Sequence, residues 1–489
     1  MIALFPGRHS GLPLRNIGFK DTDRGYGHVI FKPIVRAREL KGGPMQYGYP
    51  KGHVFYRKLT RTYPLVTHGE GIYLYDETGK RYIDGSGGAL VTNIGHGHKE
   101  ILQRMAEQMG LASYVHGTQF TTKPVEAYAE ALGEILPEGL GKIYFLSGGS
   151  ESVEAAIKLA RQYCLESGQS QRWRVVARWH SYHGNTLGAL SLTGRIGMRR
   201  PYLPLLIDFP HFPPPYCYRC PFGLAHPQCE LECAKALENV IQMEGPETIS
   251  GVILEPIIGA TVGAVVPPDG YLPLIKEICR RYGILLIDDE VMTGMGRTGT
   301  WFAVEHWNVV PDVMVLGKGM SGGFFPLSAM VARNDIVETL KERTGGFVHG
   351  HTYSHHPVGC AVGLAVMEYM QKNNLVEQCR ERGIYLLKRL EELKVYPFVG
   401  DVRGKGLMAA VEFVQDQDTK EPFPRAEKFT ERVIDLAFEN GLVLYPGTGF
   451  VDGVNGDMVM VGPPFIIEEK QIDEMIDVLK KTFSQIEKK

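Results

Sequence analysis

An α/β fold is predicted for this 489-residue chain: a large, mostly parallel sheet with helices on both faces, plus a smaller α+β unit. Three observations carry that prediction. Helical and strand patterns alternate from about residue 98 to 365, which implies βαβ units. The strand runs within that stretch are short, β-branched and continuously apolar, as strands buried on both faces are. From about residue 366 the pattern changes to long amphipathic helices separated by short strands.

Length and composition bound the rest. The chain is too long for one simple core, so two or three subdomains are expected. The divisions read as an N-terminal extension over 1–44, a segment over 45–97 joining the smaller domain, a large domain over 98–365 and a C-terminal small domain over 366–489. Residues 1–44 are basic, Gly-rich and aperiodic; either Met45 is the natural start, or the segment is an ordered arm wrapping a partner subunit. Lys plus Arg is 53 against 55 Asp plus Glu, a net charge of −2. That balance gives no reason to propose a nucleic-acid or membrane partner. No apolar run approaches the roughly 20 residues that span a bilayer, and the start is too short for a secretory signal. A cytoplasmic protein is the expectation.

The elements follow in order. Over Gly71–Asp84, Ile72 and Leu74 alternate with Tyr73 and Tyr75, and Asp76-Glu77-Thr78-Gly79 supplies a turn, so a hairpin is expected. Strands are expected at Lys142–Leu146, Arg174–Trp179, Gly251–Leu254, Ile284–Ile287 and Val313–Leu316. In the tail, helices are expected at Ala361–Gln371, Val376–Leu393 and Ala426–Asn440, with strands at Gly406–Phe413 and Asp457–Val461.

Chemistry gathers at the carboxyl ends of those strands, where open α/β sheets bind ligands. Tyr144-Phe145-Leu146 leads through Ser147-Gly148-Gly149-Ser150 into a helical pattern. Unpaired N–H groups at a helix start make an anion site, and glycines let a phosphate approach. Ser150 with Glu154, or Ser147 with Glu151, is the expected cap and first-turn acid. No Gly-Lys-Ser/Thr follows, so this is not a P-loop. The run Ile284–Ile287 ends in Asp288-Asp289-Glu290-Val291, and the run ending at Leu316 leads into Gly317-Lys318-Gly319. A carboxylate and a primary amine thus reach one sheet edge. Such a pair suits pyridoxal 5′-phosphate (PLP): Lys318 holds it as a Schiff base and shuttles the proton between substrate carbon and the coenzyme's C4′ atom, while Asp289 keeps the pyridine nitrogen protonated. Asp288 is expected on the strand's other face, as a turn or cap residue. Val291 is expected to cover one ring face and Tyr182 to stack on the other. His183 reads as a satisfied neighbour of the site, and Glu255 as an acid at the same edge.

Taken together, these segments resemble the class III, PLP-dependent aminotransferases of the aspartate-aminotransferase fold. The resemblance spans roughly residues 50 to 489. Its motifs are Phe145–Glu151, Ser181-Tyr182-His183-Gly184, Leu254-Glu255-Pro256, Asp289–Gly299, Gly317-Lys318-Gly319, His351-Thr352-Tyr353 and Val402–Leu407. It implies that Gly149 and Ser150 bind the cofactor phosphate. It also implies a homodimer with shared active sites, in which Thr352 reaches the phosphate of the neighbouring subunit. Two departures bear on substrate. Ornithine-type members carry an arginine where Met460 stands, and amine–pyruvate members carry one where Tyr445 stands. Without that fork, specificity for α-amino acids weakens. The expectation is a ping-pong ω-transaminase working through pyridoxamine phosphate, its donor a primary amine or ω-amino acid and its acceptor a small oxo acid such as pyruvate. Leu90 stands where amine-active relatives place a large aromatic. Alternatives are a racemase or aminomutase of the same fold, or a non-catalytic cofactor-binding protein, against which Lys318 and Asp289 both argue.

Cys217, Cys220, Cys229 and Cys233 are spaced C-x2-C, eight residues, C-x3-C, beside Pro213-Pro214-Pro215. Tetrahedral zinc, disulfides and free buried thiols are all compatible with this spacing. The last is the simplest, and no metal is assigned.

Overall fold

The structure, a computed structural model, describes residue 48 and residues 52–488, so the expected extension 1–44 lies outside the described residues. The first strands are β1 (Val66–Glu70), β2 (Tyr73–Asp76) and β3 (Arg81–Asp84), an antiparallel meander. The expected hairpin is β2–β3. Its turn is held by Asp76, whose Oδ1 accepts the Thr78 and Lys80 N–H groups at 2.9 and 3.0 Å. This is the backbone-mimicking role that makes Asp a turn residue.

The central sheet has seven strands: β4 (Leu140–Leu146), β5 (Arg174–Arg178), β6 (His211–Phe212), β7 (Ile249–Leu254), β8 (Leu285–Asp289), β9 (Val313–Leu316) and β10 (Ser328–Arg333). Their spatial order is β4-β10-β9-β8-β7-β5-β6. All five expected strands are present, with ends shifted by one or two residues. β10, which sequence reading did not place, runs antiparallel between β4 and β9. The remaining pairings are parallel.

Both faces of the sheet are buried, and its side chains divide between them with period two. Val175, Ala177, Ile253, Leu285, Ile287, Val313 and Val315 pack against Val153, Ala156, Leu159 and Ala160 of helix Gly149–Glu166. Val176, Val252, Leu254 and Leu286 face the other way, onto helices Glu232–Glu244 and Tyr271–Tyr282 through Leu237, Ile241, Ile275 and Ile278. Each such fully buried aliphatic side chain contributes roughly 1.5–3 kcal/mol. A strand covered on both faces has no polar alternate positions, which is why its sequence reads as an unbroken apolar run.

The remaining strands are β11 (Val399–Lys405), β12 (Met408–Phe413), β13 (Leu442–Val443), β14 (Tyr445–Thr448) and β15 (Asp457–Val461). Four of them form an antiparallel sheet ordered β11-β12-β15-β14, while β13 adds in parallel to β3. Helices Leu375–Glu391, Phe429–Glu439 and Glu469–Glu487 cover this sheet through Leu386, Leu390, Val433, Ile472, Leu479 and Phe483. The last helix had no counterpart in the expected elements. The expected helix Ala426–Asn440 starts three residues later, because Arg425–Glu427 form a separate 3-10 turn. Among the described residues no helix is long and apolar enough to cross a membrane.

Candidate active site

Register decides which side chains meet. In the parallel β8–β9 pair Asp289 lies opposite Val315, so Lys318 emerges three residues beyond on the adjacent strand. In the β7–β8 pair Leu254 lies opposite Asp288, which puts Glu255 beside Asp289. β4 ends where β10 begins, Leu146 opposite Ser328, and Ser152 Oγ bonds Ser328 Oγ at 2.9 Å. The glycine turn after β4 is thereby brought to the same edge. These elements enclose a cavity of about 410 Å³ lined by Gly149, Ser150, Tyr182, His183, Glu255, Asp289, Val291 and Lys318. Eight of the nine residues singled out from sequence thus meet in one place.

Asp289 is buried and held at both oxygens. His183 Nδ1 lies 2.7 Å from Oδ2, and the Val291 N–H donates to Oδ1 at 3.1 Å. His183 therefore orients the acid directly. Glu255 is buried as well and clamps loops: Oε2 accepts the Tyr182 N–H at 3.1 Å and Oε1 the Gly259 N–H at 3.0 Å. Burial raises its pKa. Lys318 has a left-handed backbone, φ +44°, in a short 3-10 turn. Asn93 Nδ2 supports that turn, donating to the Gly319 carbonyl at 3.0 Å. Desolvation pulls the Lys318 amine down to about 8, against the opposing pull of the Asp289 and Glu255 charges.

Helix Gly149–Glu166 opens on this cavity. Of the two expected pairs, Ser147 with Glu151 supplies the first-turn acid, but the cap position is Gly148 and no serine hydroxyl caps. The Glu151 carboxylate reaches back to accept the Ser147 and Gly148 N–H groups at 3.0 and 3.3 Å. Ser150 Oγ instead accepts the Asn185 N–H at 3.1 Å, and Glu154 binds the Thr186 hydroxyl and the Ala189 N–H. In any α-helix the first-turn N–H groups have no intrahelical acceptor. Here those are Gly149 and Ser150, aimed at the cavity. A Cβ on Gly149 would stand 2.9 Å from Val291 Cγ1, so glycine is required for the helix start and Val291 to share this wall.

A phosphorylated pyridine aldehyde fits this donor set. The helix start suits the phosphate, the fixed Asp289 carboxylate suits a protonated ring nitrogen, and the Lys318 amine suits the aldehyde. Tyr182 and Val291 are in place to flank the ring.

Several residues fall elsewhere. Thr352 is exposed, outside this cavity, and its carbonyl accepts the Tyr114 hydroxyl at 3.0 Å. Asp288 is no turn or cap residue: it is a buried strand residue whose oxygens lack a partner among the described residues, and desolvation with the nearby Glu290 and Asp289 charges pushes its pKa well up. Leu90 packs into the core, and Val91 lines the cavity instead. Met460 is likewise core. The cavity also takes Met292, Ser321, Phe325 and Leu327. Phe325 and Leu327 went unnoticed because they lead into β10; the Gly322-Gly323 turn ahead of them was the available signal. Cys217, Cys220, Cys229 and Cys233 are free thiols lining one small cavity. Among the described residues no group of three His, Cys, Asp or Glu side chains is placed to hold a metal ion, so their zinc-like spacing has no preformed ligand set.

The family described as Aminotransferase class-III matches residues 55–483 of this chain. The Bacillus subtilis protein named uncharacterized aminotransferase YodT is 40% identical over 435 residues, covering 88% of this chain and 97% of its own. The putrescine–pyruvate aminotransferase of Pseudomonas aeruginosa is 35% identical over 433 residues, covering 86% and 90%. Among solved structures, an amine transaminase from an uncultivated Pseudomonas species in its PLP-bound form superposes with a TM-score of 0.83 at 33% identity. That match covers 91% of this chain and all of the other.

Proposed function

The chain belongs to the class-III aminotransferases, and from that premise we propose that it is a PLP-dependent ω-transaminase acting by a ping-pong mechanism. It moves an amino group from a primary amine or ω-amino acid to a small oxo acid such as pyruvate. The observation that carries this reading is the convergence of the Lys318 amine, the Asp289 carboxylate and a helix N-terminus on one cavity. Met460 and Tyr445, where family members keep an arginine for α-amino acids, point toward amine donors.

When bound, the coenzyme supplies a carbonyl that accepts the amino group and a ring that withdraws electrons from the substrate carbon. The protein's part is positional and electrostatic. Gly149 and Ser150 hold the phosphate with backbone and hydroxyl donors. Asp289, fixed by His183 and the Val291 N–H, presents a carboxylate in constant orientation to the ring nitrogen. Val291 and Tyr182 flank the ring, and Glu255 secures the Tyr182 loop. Lys318 Nζ, desolvated and so more readily neutral, would take the proton from the substrate carbon and return it at the coenzyme's C4′ position. Thr352 donates to the phosphate of a neighbouring copy, in a homodimer with shared sites.

The test is an amine panel with pyruvate, read as carbonyl and alanine formed. Holoenzyme given an amine alone should release about one equivalent of carbonyl product per site, as a two-stroke mechanism requires. Lys318→Ala should release none, and Asp289→Ala should keep some PLP while losing roughly 100-fold or more in rate. PLP binding without carbonyl release from any amine refutes the proposal.

A further inference from the structure

Lys318 stands in a turn that its surroundings hold in shape. Its left-handed backbone is one that a non-glycine residue keeps only where neighbouring structure imposes it. Within the 3-10 turn Lys318–Met320, the Met320 N–H donates to the Gly317 carbonyl at 3.0 Å and the Ser321 N–H to the Lys318 carbonyl at 3.3 Å. Bonds of this winding have poorer geometry than those of an α-helix. Two side chains from distant segments add to them. The Tyr128 hydroxyl donates to the Met320 carbonyl at 3.3 Å. Asn93 Nδ2 donates to the Gly319 carbonyl at 3.0 Å, which otherwise has the Gly322 N–H at 3.3 Å.

Asn93 is the closer of the two, and it is 1% exposed. Its carboxamide lies across the turn: a Cβ on Gly319 would stand 3.1 Å from Nδ2, and one on Gly322 would stand 3.0 Å from Oδ1. Besides the Gly319 carbonyl, Nδ2 meets the Met370 sulfur at 3.2 Å, and Oδ1 has no partner among the described residues. Burying an amide that is satisfied only in part is unfavourable, and an apolar side chain of the same shape would fill this space without that penalty. Packing therefore does not explain the amide. Its anchorage fits another role. The Asn93 carbonyl accepts the Phe465 N–H at 2.7 Å, so the residue is fixed from the segment that follows β15. On its other side it bears on the wall of the cavity, which Lys318, Ser321 and Gly323 of this turn line together with Val91, two residues before Asn93.

We propose that Asn93 is a positioning residue for Lys318: its carboxamide pins the Gly319 carbonyl and thereby fixes where the Lys318 amine stands in the cavity. What that amine does there rests on the transaminase reading above. Asn93 itself touches neither substrate nor coenzyme; it acts through the turn.

Two variants test this. Asn93→Leu keeps the shape of the side chain and removes the donor, and Asn93→Ala removes the donor with no risk of overpacking. The first readout needs no turnover: PLP uptake by apoenzyme, followed by absorbance against pH. A freed turn lets water reach the amine, so in both variants the midpoint should rise by about one pH unit. The second readout is the amine half-reaction of the loaded enzyme. Its rate at saturating amine should fall about 10- to 100-fold, the size that misplacing a reacting group by about 1 Å brings, while the KM for amine changes less than about threefold. Thermal unfolding of Asn93→Leu should stay close to that of wild type. A wild-type midpoint and rate in both variants overturn the assignment, and so does a loss confined to Asn93→Leu, which is overpacking. A lower melting temperature of Asn93→Leu with an unmoved midpoint overturns it as well, because Asn93 then serves stability alone. If wild-type holoenzyme converts no amine, the transaminase reading falls, and the uptake midpoint still decides whether Asn93 holds Lys318.

Discussion

Lys318 combines two local costs. Its backbone occupies the left-handed region at φ +44°, which costs a non-glycine residue on the order of 1 kcal/mol. Its amine is desolvated, which disfavours the ammonium form. Both are consistent with a residue held for reactivity rather than stability. A consequence follows for pH. Only the neutral amine attacks an aldehyde, and the proton leaves at about 8 rather than at the ordinary lysine value of 10.5. Uptake of PLP by apoenzyme should therefore accelerate as pH rises through about 8 and level off above it. Asp289→Asn removes a negative charge that favours the ammonium, so its midpoint should move lower still. Stopped-flow absorbance against pH measures both; a wild-type midpoint near 10.5 would contradict the burial argument.

At the scale of elements, the phosphate end depends on how closely helix Gly149–Glu166 approaches β8. Val291 follows that strand, and its side chain lies against both Gly149 and Gly317. Gly149→Ala would press a methyl group onto Val291 Cγ1, and overpacking of this kind costs about 1–3 kcal/mol. PLP affinity should accordingly fall roughly tenfold or more. Adding Val291→Ala should recover part of that loss, a non-additive pair on a double-mutant cycle of PLP dissociation constants. Equal losses that simply add would mean that the glycine matters for another reason. The elements themselves were legible in sequence where burial is uniform. β5, β7, β8 and β9 announced themselves by unbroken apolar runs. β10 did not, although Ser328–Arg333 is almost wholly buried, because its residues Ser328-Ala329-Met330 carry no β-branched signature. Two acid–serine spacings fit the start of helix Gly149–Glu166, and the structure chooses between them: Glu151 is the first-turn acid, while Ser150 and Glu154 are taken by the 185–189 loop.

For the whole molecule, Arg297 ties the end of the seven-stranded sheet to the smaller antiparallel unit. It leaves the Asp289–Gly299 motif and donates Nη1 to the Leu407 and Pro463 carbonyls at 3.0 and 2.7 Å, with its guanidinium 4.5 Å over the Phe465 ring. Arg403, from another of the sequence motifs, does the reverse. It donates to the Gly263 carbonyl at 2.6 Å while pairing with Asp401 and Glu412. Arg297 and Arg403 are thus joints between the smaller antiparallel sheet and the loops that follow β7 and β8. The proposed homodimer belongs to this scale: Thr352 is exposed and lies outside the cavity of its own chain. Sedimentation velocity should give twice the chain mass. Thr352→Ala should leave that mass unchanged yet weaken PLP retention roughly tenfold, the cost of one hydrogen bond to a charged group. A monomeric holoenzyme with full activity would refute the shared site.

The sequence by itself determined the α/β class and the family, and it singled out the glycine turn, Lys318 and Asp289 as candidates for one site. Each of these is a local pattern: an apolar run, a short motif, a residue at a strand's end. The tertiary structure alone decided that His183 grips Asp289, that Glu151 and no serine hydroxyl closes the helix start, and that Asp288 is a buried strand residue that does not line the cavity. Those are distances between side chains tens or hundreds of residues apart, set by strand register and loop packing, and no periodicity along the chain encodes them.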